Sequence, residues 1–176
     1  MLYDKSGSVH SRLFTSNKDL EQYYKLAIEI FEAMSNENPD KYSYLLSCSY
    51  VDLADLYKEL YKYSESKNYY DKGICILQGL AEKTPVQYEC ILAESYLKYS
   101  YLCVIMGEYT TAKQYALMAA DIFERLSSEN HDTRYYLYRT YDNLVNICFD
   151  LHEYAAASEY KELEDEIRKQ LSVITD

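Results

Sequence analysis

The fold is decided by residues 50–76, which read YVDLADLYKELYKYSESKNYYDKGICI. The same pattern returns at residues 96–122 and again at 141–167, at offsets of 46 and then 45 residues. A period of this length is typical of stacked-repeat proteins, in which each unit buries its apolar faces against its neighbours. The sequence therefore predicts a repeat protein that presents an extended surface to a partner.

Each copy contains two stretches with helical spacing. In the first copy Leu46, Tyr50, Leu53 and Tyr57 recur at intervals of four, three and four residues, which indicates a helix and not a strand. Only four Gly and two Pro occur in 176 residues, and this scarcity favours long helices. We predict an irregular segment at 1–15 and one helical domain at 16–176, with an unpaired helix at 17–35 and helix pairs at 40–83, 86–128 and 132–173.

Proline and glycine mark the boundaries of these helices. Pro39 and Pro85 lie 46 residues apart, and each is expected to open a helix because proline is tolerated in the first turn. Gly107 lies in the break within the second pair, where a left-handed residue would end the first helix. The breaks in the other pairs are expected near residues 61–63 and 151–153.

Composition excludes several classes of partner. The formal net charge is −11, so binding to nucleic-acid phosphates and to anionic membrane surfaces is disfavoured. The N-terminus lacks an apolar run of signal-peptide length, and no stretch is long enough to span a membrane. Five cysteines without a C-x-x-C pair are expected to be reduced thiols packed as small apolar groups, which predicts a soluble, cytoplasmic protein.

The sequence carries no motif for catalysis or for a cofactor. The four glycines form neither a phosphate-binding loop nor a dinucleotide fingerprint, and no G-x-S-x-G elbow occurs. His10, His131 and His152 are isolated and lack the i, i+4 partner of a helical metal site. The acidic run 164–166 is expected to be a solvated face. We therefore predict no enzyme activity, no metal and no cofactor.

The repeated residues resemble the tetratricopeptide repeat. The resemblance rests on Tyr50-x-x-Leu53-Ala54-x-x-Tyr57, followed by small and aromatic residues in the second helix, and it covers about residues 17–173. The period corresponds to a longer-helix variant of that family. The third copy departs from the pattern at Val145, Lys161 and Glu164. The resemblance implies an all-α fold of about seven helices, a right-handed α-solenoid of stacked antiparallel helix pairs.

In this family the first helices of successive pairs line a concave groove that takes peptides or helices. The resemblance carries that groove onto twelve residues of this chain, together with Cys48: Val51, Asp55, Lys58, Glu94, Leu97, Tyr101, Val104, Arg139, Asp142, Asn143, Asn146 and Phe149. Some family members clamp a C-terminal carboxylate with Lys and Asn on the first repeat. Val51 and Asp55 stand at those positions here, so that clamp should be absent, although Arg139 and Asn143 could still fix a carboxylate.

The two ends of the repeat region differ in character. The last helix has one stripe, Tyr160, Leu163, Ile167 and Leu171, and charged residues elsewhere, as expected of a solvated end. The first helix is apolar over more than half of its circumference. Its uncovered side could be covered by residues 1–15, by a second copy of the chain in a two-fold dimer, or by a preceding helix of a longer array.

These observations predict a non-enzymatic scaffold that binds a protein or peptide, of neutral-to-basic charge, in the groove. The first alternative is a regulatory or peptide-sensing module of a larger signalling system. The second alternative is self-assembly through the apolar first helix, which would give a homodimer.

Overall fold

A computed structural model describes residues 16–127 and 131–172. The described ranges form an all-α fold of seven helices without a strand, as predicted. The helices are α1 (Asn17–Glu37), α2 (Pro39–Glu59), α3 (Tyr63–Lys83), α4 (Pro85–Ile105), α5 (Tyr109–Ser127), α6 (His131–Asp150) and α7 (Tyr154–Ser172). The predicted helix at 17–35 corresponds to α1, and the helices predicted within 40–83, 86–128 and 132–173 correspond to α2 and α3, α4 and α5, and α6 and α7. The predicted irregular segment 1–15 lies outside the described residues.

The helices alternate between two types along the chain. We call α2, α4 and α6 first-type helices, and α1, α3, α5 and α7 second-type helices. Helix α1 packs against α2, and further along the chain α4 packs against α5, α5 against α6 and α6 against α7, as in a solenoid-like fold. The chain divides into two compact units, Met1–Ile76 (unit 1) and Leu77–Asp176 (unit 2), and the division falls inside α3. The units are described separately below.

Local sequence explains where several helices begin. The Ser16 side chain accepts a hydrogen bond from the Asp19 amide at 3.2 Å and caps α1. Asn38 caps α2 in the same way, accepting from the Lys41 amide at 3.3 Å. Pro39 and Pro85 lie in the first turns of α2 and α4, which confirms the prediction made from their spacing.

All three first-type helices end in the same left-handed turn. Gly107 has a φ of 74°, which confirms its predicted role, while Tyr61 and His152 occupy the equivalent positions with φ of 60°. The hydrogen bonds are those of a Schellman motif: the amide of the residue after each left-handed position reaches back to Tyr57, Cys103 or Cys148 at 2.8–2.9 Å. Three-residue connections therefore join the helices of every pair.

Unit 1 has a core between α1 and α2 that also includes side chains of α3. Tyr24 and Ile28 of α1 are buried against Leu46, Tyr50, Leu53, Leu56 and Tyr57 of α2. Gly73 allows α3 to approach α2 closely, because a Cβ at this position would lie 2.8 Å from Val51 Cγ2 and 3.1 Å from the Ser47 carbonyl oxygen.

Unit 2 has a core of alanines and aromatic rings. Ala112, Ala116 and Ala119 are fully buried on α5 and let its neighbours approach closely. The ring of Tyr115 on α5 lies 4.5 Å from that of Tyr99 on α4, and Phe123 on α5 stacks on Tyr136 of α6 at 5.4 Å. Helix α5 therefore packs against both α4 and α6.

A polar bond recurs with the repeat at three helix contacts. Tyr50, Tyr96 and Tyr141 each reach the second-type helix that precedes them. The Tyr50 hydroxyl donates to Glu32, Gln78 Nε2 donates to the Tyr96 hydroxyl at 2.9 Å, and the Tyr141 hydroxyl donates to Glu124 at 2.7 Å. The repeat thus conserves within this chain a hydrogen bond as well as its apolar packing, a feature that the sequence analysis missed.

Helix α7 corrects two details of the predicted solvated end. Glu164 is 1% exposed, whereas we predicted a solvated carboxylate. Lys161 Nζ lies 2.6 Å from this carboxylate, and Arg168 also bonds to it, so two flanking cations compensate its charge. Leu163, which we assigned to the packed stripe, is 40% exposed.

The cysteines follow the prediction in part. Cys103 and Cys148 are buried and Cys48 and Cys90 are half-buried, but Cys75 is exposed. Of the helices in the described ranges, none combines the length and apolar character needed to cross a membrane.

Candidate partner-binding site

The three candidate positions on α2 in unit 1 take part in contacts within that unit. Val51 is buried beneath Gly73, which corrects its assignment to an exposed groove surface. Asp55 forms an ion pair with Lys58 at 2.8 Å and also accepts a hydrogen bond from the buried Tyr70 hydroxyl. The carboxylate of Asp55 therefore already has two partners within unit 1, one on α2 and one on α3.

In unit 2 the candidate positions centre on Tyr101 and Arg139. The Tyr101 hydroxyl donates to the Arg139 carbonyl oxygen at 3.2 Å, so the side chain of α4 reaches the backbone of α6. The Arg139 guanidinium lies 5.6 Å from the centroid of the Tyr101 ring, in a cation–π contact. Two separate interactions thus hold these residues together.

A second tyrosine orients Arg139. Arg139 Nη1 donates to the Tyr135 hydroxyl at 3.3 Å, and this hydrogen bond is the main reason that the pKa of the guanidinium is raised. Both Arg139 and Tyr135 are exposed. The sequence analysis did not name Tyr135, although its position one helical turn before Arg139 placed it on the same face.

Glu94 lies on α4 in a half-buried position. Burial raises the pKa of its carboxyl above the ordinary value, and the opposing effects of Lys98, Tyr136 and Cys90 only partly offset this. The Cys90 Sγ lies 3.9 Å from the carboxylate. A partner that brings a positive charge to Glu94 would find a carboxylate that is poorly solvated.

The C-terminal turns of α4 and α6 expose apolar side chains. Phe149 is 53% exposed and Ile105 is 51% exposed, while Val104 is half-buried. Tyr154, 60% exposed, lies at the start of α7 with its ring 6.0 Å from that of Phe149. Asn146, one turn before Phe149, is exposed and donates from Nδ2 to the Asp142 carbonyl oxygen at 2.8 Å.

Two other candidates of unit 2 are corrected by the structure. Leu97 is buried and contributes to the core. Asn143 is also buried, and its Nδ2 donates to Ser100 Oγ at 2.8 Å, while Ser100 in turn donates to the Ala112 carbonyl oxygen at 2.8 Å. Asn143 therefore joins three helices and has no side-chain surface for a ligand.

The site that remains consists of side chains from α4 and α6. The members with accessible surface are Glu94, Tyr101, Val104, Tyr135, Arg139, Asp142, Asn146 and Phe149. Within residues 16–127 and 131–172, no group of three or more His, Cys, Asp or Glu side chains could hold a metal ion. The arrangement offers one oriented guanidinium, two phenols, amide and carboxylate groups, and an apolar edge at Phe149.

Comparison with known proteins identifies the fold but no family. No protein-family model matches the chain, and no curated protein matches it. The crystal structure of BtubC (BKLC) from P. vanneervenii is similar, with a TM-score of 0.72 and 18% sequence identity over 89% of this chain. The chain spans 58% of the length of that protein. At this identity the similarity concerns the fold alone.

Proposed function

We propose that this chain is a non-enzymatic scaffold of the tetratricopeptide-repeat type that binds a protein or peptide on the α4 and α6 surface of unit 2. The observation that supports the proposal most directly is the Tyr101–Arg139–Tyr135 cluster. An exposed guanidinium is oriented there by two phenols, so less side-chain entropy is lost when it binds a ligand.

The surface favours a polypeptide of mixed character. Phe149, whose ring lies 6.0 Å from that of Tyr154, provides an apolar edge for an aliphatic or aromatic side chain. Arg139 can donate to backbone carbonyls or to a carboxylate, while Glu94 and Asp142 favour a basic group. An amphipathic helix or an extended peptide of neutral-to-basic net charge satisfies these groups together.

The repeat identity forms part of the same proposal. Its support is the phased recurrence of small residues where the helices approach most closely, as at Gly73 and Ala119, and the recurrence of aromatic residues around them. This identity implies a right-handed superhelix and a concave ligand surface, and the reduced cysteines that we expect from the sequence favour a cytoplasmic location. A crystal structure would determine the hand of the superhelix independently of any ligand.

Selection from a displayed peptide library on the immobilised full chain would test the function. Selected peptides would then be measured against Arg139→Ala/Asn146→Ala/Phe149→Ala. A matched control, Gln114→Ala/Leu117→Ala/Met118→Ala, changes exposed positions of α5 instead. We expect the first variant to weaken binding at least about tenfold, since it removes about 1.4 kcal/mol or more of contact energy, and the control to bind like the parent.

Equal binding by both variants would reject this surface as the site. Failure to select any peptide that binds the parent chain specifically would argue against a peptide-binding function. Melting curves of both variants must match that of the parent, so that loss of binding is not confused with unfolding.

A further inference from the structure

Three exposed rings meet at the turn between α6 and α7. The ring of Tyr154, 60% exposed, lies 6.0 Å from that of Phe149 and 6.0 Å from that of His152, and both of these residues are exposed as well. The interplanar angles are 60° and 50°, so the rings are not stacked in parallel. The Tyr154 hydroxyl and His152 Nδ1 lie 3.1 Å apart and form a hydrogen bond. We call Phe149, His152 and Tyr154 the aromatic turn cluster.

The ring of His152 is held in this cluster at a cost in backbone energy. Its φ of 60° lies in the left-handed region that disfavours a side chain, and Gly107 at the equivalent position of the second pair shows that glycine fits this turn. In the second pair Val104 stands at the position of Phe149. A three-ring cluster is therefore not needed to close a helix pair.

Two rings elsewhere in unit 2 pair with a cation of the chain itself. The Arg139 guanidinium lies 5.6 Å from the centroid of the Tyr101 ring, and that of Arg168 lies 5.5 Å from the centroid of the Tyr138 ring. In the part of the chain that the structure describes, no Lys or Arg lies over a ring of the aromatic turn cluster. Its ring faces are thus accessible to a cation from another molecule.

The charge around the aromatic turn cluster favours such a cation. Asp150, the last residue of α6, follows Phe149 in the chain, is exposed, and forms no ion pair with another described residue. Glu153, within the turn, is ion-paired with Lys113. Two carboxylates and one cation therefore surround the cluster, in a chain whose formal net charge is −11. A positively charged group is attracted both by the ring faces and by this excess of negative charge.

We propose that the aromatic turn cluster binds the guanidinium of an arginine side chain in the polypeptide ligand. This inference rests on the proposed function, because it names one residue of that ligand and the place where it docks. Arginine is favoured over lysine, since a planar guanidinium stacks on a ring while its N–H groups donate to a carboxylate such as that of Asp150. Phe149 belongs both to the cluster and to the α4 and α6 surface, so one ligand reaches both.

N-acetyl-arginine amide provides a direct probe, because it presents one arginine without the rest of a ligand. We expect its titration into the isotope-labelled full chain to shift the NMR amide signals of residues 149–154 in a saturable way at millimolar concentration. N-acetyl-citrulline amide has nearly the same shape but no charge. It should bind at least about threefold more weakly, because the ring faces attract a cation and not a neutral urea group.

Three variants of the full chain distinguish the rings from their surroundings. Phe149→Leu/Tyr154→Leu keeps apolar side chains without rings and should reduce arginine binding to the level of citrulline. Tyr61→Leu/Tyr63→Leu, a matched control, removes two rings 6.2 Å apart at the equivalent turn of the first pair and should leave the signals of the cluster unchanged. His152→Gly should raise the melting temperature, because the left-handed strain is relieved, and yet weaken arginine binding at least about twofold.

Several results would overturn the proposal. These are absence of a saturable shift, equal binding of the arginine and citrulline probes, and arginine binding that survives Phe149→Leu/Tyr154→Leu. Shifts that spread over the whole acidic surface and persist in that variant would indicate general attraction to negative charge and would also reject the site. Unchanged affinity in His152→Gly would exclude its ring from the site. Melting curves of every variant establish that it is folded.

The experiment with the arginine probe can fail independently of the peptide selection. Arg139→Ala should leave binding of N-acetyl-arginine amide unchanged, whereas the selected peptides are expected to depend on Arg139. Peptide binding without arginine binding at the aromatic turn cluster would reject this inference alone. Arginine binding at the cluster without any selected peptide would instead contradict the proposed function, while the cluster itself would remain a site for a guanidinium.

Discussion

A residue in the left-handed conformation follows the first-type helix of every pair, but only one of these three residues is glycine. Tyr61 and His152 adopt a φ of 60° that costs a non-glycine residue about 1 kcal/mol or more. Tyr61 is 80% exposed, so its side chain contributes little packing to offset this cost.

Tyr61→Gly should therefore raise the free energy of unfolding by about 1 kcal/mol, measured by urea denaturation followed by circular dichroism. Tyr61→Ala removes the same ring without relieving the backbone and serves as the matched control. A stabilisation by Ala as large as that by Gly would show that the ring, and not the backbone conformation, was unfavourable.

Glu164 illustrates a buried charge that depends on its neighbours. It occupies the position at which Ala119 stands in the preceding repeat, and Lys161 and Arg168 compensate its carboxylate. We expect Lys161→Met/Arg168→Met to lower stability by about 2 kcal/mol, because a buried carboxylate would lose both cations.

Adding Glu164→Ala to that double variant should restore most of the lost stability, since it removes the uncompensated charge and installs the residue found one repeat earlier. Chemical denaturation of the parent, the Glu164→Ala variant, the double variant and the triple variant forms a thermodynamic cycle. Additive effects would contradict the coupling that the structure indicates.

At the scale of elements, the recurring tyrosine bonds connect each second-type helix to the helix that follows. Tyr141 donates to a carboxylate, whereas Tyr96 accepts from the neutral amide of Gln78. Hydrogen bonds to charged groups contribute more, so Tyr141→Phe should cost about 2 kcal/mol and Tyr96→Phe about 1 kcal/mol.

Glu124→Gln offers a matched control, because Tyr141 would then face a neutral amide, as Tyr96 faces that of Gln78. In that background the cost of Tyr141→Phe should fall to about that of Tyr96→Phe, again by urea denaturation. Equal costs for Tyr141→Phe in both backgrounds would exclude a special contribution of the carboxylate.

Helix positions could be predicted from the sequence because periodicity, prolines and Gly107 are local signals. Register also identified which helix face each candidate residue occupies. Register did not predict how deeply each side chain is buried. Val51, Leu97 and Asn143 were assigned to the groove surface yet are buried, because neighbouring side chains decide how much of a helix face is covered. For the same reason the acidic run 164–166 did not indicate that Glu164 is buried. Its partners Lys161 and Arg168 lie three residues before it and four residues after it.

The Tyr101–Arg139 cluster could be predicted only in part. Both residues were assigned to the ligand-binding face, but their contact joins residues 38 positions apart and depends on the packing of α4 against α6. Tyr135 carried a signal in its i−4 spacing from Arg139. The sequence alone did not distinguish it from the many tyrosines of the core.

At the scale of the whole molecule, twenty-three tyrosines make alkaline pH a general probe of packing. Burial raises the pKa of Tyr50, Tyr70 and Tyr141 above the ordinary value of about 10, and the carboxylates that accept their hydrogen bonds raise it further. The folded state then holds protons that the unfolded state releases, so stability falls as pH rises above about 10.

We expect the free energy of unfolding to change little between pH 8 and 9 and to decrease steeply above pH 10, when measured by urea denaturation. Tyrosinate absorbance from the buried rings should increase together with loss of helical circular dichroism. Tyr50→Phe/Tyr141→Phe should show a shallower decrease. An unchanged slope in that variant would assign the alkaline effect to other groups.

The ion pairs of Lys161, Asp165 and Arg168 on the surface of α7 restrict how this repeat region could lengthen by tandem duplication. Copying the second pair in place would set apolar residues such as Ala116 and Phe123 beneath a new helix. Copying the third pair would instead bury Lys161, Asp165 and Arg168 at the new junction, where each ion would lose solvation. Duplication of the second pair is thus compatible with the existing residues, whereas duplication of the third pair requires prior substitution of the charged residues of α7.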